Sequence, residues 1–130
     1  MDSKRKQAKT SQIKSFGAAF RGIFVLLRNE RNFRFHLFAA VIVLLCCYFF
    51  NVEKSEWLVV LLLIGLVFCM EALNTAIEYI CDLVSPEYHP MVKNIKDISA
   101  AGVLLAAIIA AIAGCVIFIP YIMAMIHVGF

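Results

Sequence analysis

Three carboxylates and one amide fall on one stripe of an otherwise apolar segment: Glu71, Asn74, Glu78 and Asp82. On a helix turning about 100° per residue, they share a sector of roughly 80°. Glu71 and Glu78 then stand about 10 Å apart along the axis. The run leading into them, Trp57 to Met70, holds no charged residue. Carboxylates at the edge of a bilayer are costly, so an ionisable cluster there marks a functional site by default. An acidic, aligned cluster with an amide suits cation binding or proton transfer at a membrane surface.

Each residue has a chemical reading and a structural one. Glu30 and Glu78 are candidate Mg²⁺ ligands, because magnesium takes one or two carboxylates together with phosphate oxygens and water. Either could instead pair with a neighbouring arginine. Glu71 lies deepest, where partial desolvation suits a general base. The structural alternative is a carboxyl group hydrogen-bonded to another helix. Asn74, one turn on, could orient Glu71 or a substrate hydroxyl, or simply bridge two helices. Lys96-Asp97 offers a cation for phosphate, or a lysine that snorkels to the interface. Glu87-Tyr88-His89 could hold a nucleotide or remain a solvated loop. His36 and His127 stand alone on apolar runs and receive no metal role. There is no Walker phosphate loop: Gly17 and Gly22 have its glycine spacing, with no Lys-Ser/Thr after them. GxGxxG and the soluble-kinase motifs are absent too.

The elements that must carry these residues follow from composition. The chain has 130 residues, 63% of them hydrophobic, and a mean hydropathy of +0.89. That excess lies in long runs, which is the membrane pattern. One domain over 1–130 is expected. It has an amphipathic surface helix over about 13–28 and membrane helices over about 35–50, 57–83 and 97–126. Ile13, Phe16, Phe20, Ile23, Phe24 and Leu27 recur at helical spacing, with Lys14, Arg21 and Arg28 between them. Residues before Ile13 read as a frayed polar start. Pro86 and Pro90 read as helix breakers, and Pro120 as a kink or an end.

Nine of the twelve basic residues precede the first apolar run. They point to anionic lipid headgroups rather than nucleic acid and place the N-terminus in the cytoplasm. Three spans then put the acidic stripe on the cytoplasmic side and the C-terminus outside. Five scattered cysteines suggest packing rather than a disulfide framework. Small residues at Gly102, Ala106, Ala110 and Gly114 allow close helix approach, within one chain or between copies.

The combination Glu71-Ala-Leu-Asn-Thr-Ala-Ile-Glu78, Asp82, Glu87-Tyr-His89 and Lys96-Asp97 closely resembles the small integral-membrane prokaryotic diacylglycerol kinases. Asn29-Glu30 and Phe33-Arg34 match as well, and the likeness spans about 16–119. Arg28-Asn-Glu-Arg-Asn-Phe-Arg34 and His89-Pro90 are most similar to the Gram-positive branch, which phosphorylates undecaprenol. The resemblance implies an all-α homotrimer in the bacterial cell membrane. Each subunit would have a surface helix and three spans, and active sites would be shared between subunits. It implies MgATP-dependent phosphorylation of a lipid alcohol at the cytoplasmic face. Glu71 would be the base, and Glu30 and Glu78 would hold Mg²⁺. Ala18, Glu30, Glu78, Glu87, Tyr88, His89, Lys96 and Asp97 would line the nucleotide. Asn74, Asp82 and Arg34 would bind substrate or support the site.

Three departures bear on the acceptor lipid. Ala18 replaces a tyrosine of the diacylglycerol-specific branch, His36 an acidic residue, and Trp57 a basic one. Undecaprenol is the favoured acceptor and diacylglycerol the alternative. Outside the enzymes, a small cation- or proton-coupled transporter and a membrane scaffold are the rival readings.

Overall fold

The computed structural model describes the backbone of residues 2–128 and the side chains of residues 14–127. Four helices follow in order: α1 (Asp2–Asn29), α2 (Arg31–Phe49), α3 (Lys54–Val84) and α4 (Pro90–Val128). The last three are long and apolar enough to cross a membrane.

The helices start earlier than the hydrophobic pattern suggests, because local chemistry extends them. α1 begins at Asp2, where the segment before Ile13 is rich in Lys, Arg, Gln and Ala, all good helix formers. Between α1 and α2 the break is a single residue, Glu30, with extended backbone at φ −97° and ψ 111°. Asn29 before it and Arg31 to Arg34 after it are helical.

α3 begins at Lys54 through a capping box. The Glu53 side chain accepts from the Glu56 N–H, and the Glu56 carboxylate accepts from the Glu53 N–H at 3.0 Å. α4 begins at Pro90, not near 97. Proline at the first helical position has no N–H to leave unpaired. His89 Nδ1 accepts from the Met91 N–H at 3.2 Å and caps that turn. Pro120 lies inside α4 and does not end it.

α4 runs along α3, α2 packs on α3, and α1 meets α2. At Gly102 a Cβ would meet Met70 Cε, the mobile end of a side chain on α3, so Met70 packs over the glycine there. Ala106, one turn on, is buried, whereas Ala110 and Gly114 border a cavity between α2, α3 and α4. The small-residue strip therefore closes the helix pair at one end and opens it toward the other.

Cys47, Val52, Val60 and Ile117 form an apolar core at the end near the α2–α3 connection. Tyr121 OH donates to Glu56 Oε2 there, at 2.6 Å. All five cysteines are free thiols; Cys47 is wholly buried and Cys115 lines the cavity. Large apolar faces stay uncovered in the single chain, among them Phe16, Phe20 and Phe24 on α1 and Leu62 on α3.

Candidate active site

The polar stripe of α3 lies at the opposite end, where α1 turns into α2 and α3 turns into α4. Glu71 is 2% exposed, the most deeply buried carboxylate among the described residues. His36, from α2, meets it: Nε2 lies 3.2 Å from Glu71 Oε1. A buried carboxylate needs such a polar partner, since an unpaired one is strongly disfavoured.

Asn74 is also buried, at 8% exposure, and it links two groups. Its Nδ2 donates to Glu78 Oε1 at 2.9 Å, and its Oδ1 accepts from Ser99 Oγ at 2.6 Å. The amide therefore orients Glu78 and ties α3 to α4; it does not touch Glu71. Glu78 is partly exposed one turn further on. Glu30, at the α1–α2 break, accepts from Tyr79 OH at 3.2 Å through Oε1. Glu30 thus meets the hydroxyl of Tyr79, the residue next to Glu78 on α3.

The two lysines at the start of α4 are paired with carboxylates. Lys96 Nζ donates to Asp82 Oδ1 at 2.5 Å, joining α4 to α3. Lys93 Nζ donates to Asp97 Oδ2 at 2.6 Å, within α4. Arg34, a candidate for substrate binding or support, bonds backbone carbonyls of α1. Its Nη1 donates to the carbonyls of Leu27 at 3.2 Å and Arg28 at 2.9 Å, closing the last turn of α1.

The connection between α3 and α4 carries the remaining sequence candidates. The Glu87 carbonyl accepts from Ser85 Oγ at 3.1 Å, Tyr88 is exposed, and His89 spends Nδ1 on the α4 cap. Ala18 is exposed on α1 and is not gathered with the carboxylates. It precedes the helix break by about 18 Å along the axis. His36, Tyr79 and Ser99 belong to the cluster and were not among the sequence candidates. Ser99 lies three residues beyond Lys96, on the adjoining turn of the same helix face, which is a readable signal. His36 has none, because its partner is on another helix.

Among the described residues, no group of three or more His, Cys, Asp or Glu side chains forms a closed metal cage. The donor set that is present, two hard carboxylates each engaged through one oxygen, fits an ion that completes its shell from phosphate and water.

Fold and site together define a helical protein with three membrane-length helices and a carboxylate–amide cluster at one end. The profile of the prokaryotic diacylglycerol kinase family matches residues 17–118. The undecaprenol kinase of Bacillus subtilis is 44% identical over 121 residues, covering 92% of this chain and 98% of that protein. A diacylglycerol kinase of Synechocystis is 39% identical over 82% of this chain and 61% of its own length. The diacylglycerol kinase of Escherichia coli K12 is 31% identical over 83% of this chain and 88% of its own. The chain belongs to the prokaryotic diacylglycerol kinase family. It is a lipid kinase, which sets aside the transporter and scaffold readings.

Proposed function

We propose that the protein transfers the γ-phosphoryl group of MgATP to the hydroxyl of undecaprenol, making undecaprenyl phosphate. The observation that carries this reading is the position of Glu71 beside an apolar cavity of about 560 Å³. Val67, one turn before Glu71, lines that cavity, and so does His36, which touches Glu71. The other lining side chains, such as Phe68, Ala107 and Ile122, suit a hydrocarbon chain. A lipid alcohol seated there brings its hydroxyl to the buried carboxylate.

In the transfer, the acceptor oxygen bonds to the γ-phosphorus while its proton passes to Glu71. The bond to the bridging oxygen breaks, and its electron pair leaves on ADP. Glu30 and Glu78 would hold Mg²⁺, which neutralises phosphate charge when bound. Asn74 keeps the Glu78 carboxylate in place. The Lys96–Asp82 pair is partly exposed and such pairs are weak, so Lys96 can exchange Asp82 for a phosphate oxygen at little cost. Ala18, Glu87, Tyr88, His89 and Asp97 complete the nucleotide side. The uncovered apolar faces support α1 as a surface helix and a homotrimer with shared sites. The basic N-terminal region supports a cytoplasmic site in a bacterial cell membrane, with the C-terminus outside.

The test is phosphate transfer by the purified protein in mixed micelles, with undecaprenol and diacylglycerol supplied separately. We expect kcat/KM about 10–100-fold higher with undecaprenol, the range that apolar pockets achieve. A preference for diacylglycerol would replace the acceptor and keep the reaction; transfer to neither would reject both. Filling the cavity is a second check. Ala107→Phe is expected to raise the lipid KM about tenfold, since the added ring takes up chain-binding volume, and to leave the KM for MgATP unchanged. An unaltered lipid KM would place the chain elsewhere.

A further inference from the structure

We propose that His36 is a positioning residue for the phosphoryl transfer, acting through Glu71. The inference rests on the assignment of Glu71 as the base. α2 and α3 run antiparallel and meet in two side-chain contacts near this end. The Phe33 and Phe68 rings pack tilted, with centroids 5.1 Å apart, and His36 Nε2 meets Glu71 Oε1 at 3.2 Å. Phe33 is buried and Phe68 half-buried, and their contact holds the two helices together beside the imidazole–carboxylate pair. Phe35 packs its ring edge-on to the imidazole at 5.7 Å, which restrains the ring further.

His36 is partly accessible and borders the apolar cavity, whereas the Glu71 side chain is almost wholly covered. The imidazole therefore adjoins both the cavity and the base. Nε2 lies 3.2 Å from Oε1 of Glu71; in the proposed role this contact orients the carboxylate and the other oxygen, Oε2, takes the acceptor proton. A carboxylate free to rotate would lose that alignment, and a displacement of about 1 Å at a reacting group can cost on the order of 100-fold in rate. Nothing in the local pattern of α2 marks His36 for this role; the contact across helices does.

Two amide variants separate positioning from packing. In His36→Gln the side-chain nitrogen reaches about as far as Nε2, so it can still hold the carboxylate. In His36→Asn it is too short. Both variants are polar and uncharged, so a purely structural role would move them together. We expect His36→Asn to lower kcat about 10–100-fold with the KM for MgATP within about threefold of wild type. We expect His36→Gln to restore kcat to within about threefold. Equal kcat in the two variants, or a loss confined to the KM for MgATP, would overturn the inference. Glu71→Gln is assayed alongside with the preferred acceptor lipid. If it is inactive while His36→Asn turns over normally, the inference fails and the base assignment stands. If Glu71→Gln is active, the base assignment fails and the inference with it.

Discussion

Glu71→Gln is expected to lower kcat at least about 100-fold, with helical content and the KM for MgATP close to wild type. The substitution keeps size, shape and a polar oxygen beside His36 Nε2, so the buried site stays filled. It removes the ability to take a proton. A positioned general base contributes roughly 10²–10⁴-fold, and the loss should fall in that range. The measurement is steady-state transfer to the lipid alcohol, with nucleotide binding followed separately by calorimetry. Near-normal kcat would reject Glu71 as the base. Loss of nucleotide binding in parallel would move Glu71 from the lipid side of the site to the phosphate side.

The second large effect concerns Glu78 and Glu30. Removing a group one shell away from a metal commonly costs about 10–100-fold in affinity or activity, and removing a ligand itself costs no less. Glu78→Ala and Glu30→Ala are therefore each expected to reduce kcat/KM for MgATP by at least about tenfold and to raise the Mg²⁺ concentration needed for half-maximal rate. Alanine also strips Asn74 Nδ2 or Tyr79 OH of an acceptor, which confuses metal loss with structural loss. Glutamine resolves the two, because its carbonyl still accepts those hydrogen bonds while its charge is gone. If Glu78→Gln and Glu30→Gln are as impaired as the alanine variants, the carboxylates act as Mg²⁺ ligands. If glutamine restores the Mg²⁺ dependence, Glu78 serves to anchor Asn74 and Glu30 to anchor Tyr79, and the metal sits elsewhere.

The sequence by itself determined the helical class, the three membrane-length segments and the acidic stripe. Those properties are local. An apolar run announces a span whatever it packs against, and a spacing of three, seven and eleven residues places side chains on one face of any helix. The family motif lies within single helices and their ends, and so it was legible too. Helix starts were read less well. Pro90 resembles a breaker until His89 is seen capping its turn, and α2 starts at Arg31, directly after Glu30, rather than near 35.

Only the tertiary structure decided which polar groups meet. His36 and Glu71 are thirty-five residues apart, and Asn74 and Ser99 twenty-five. Their contacts depend on how α2 and α4 lie against α3. That alignment is accompanied by the packing of Phe33 against Phe68 and of Met70 against Gly102. The same alignment of α4 on α3 gave Lys96 to Asp82. Periodicity states which face of a helix a residue occupies. It carries no information on the rotation and axial offset of the neighbouring helix, and those two quantities assemble the site.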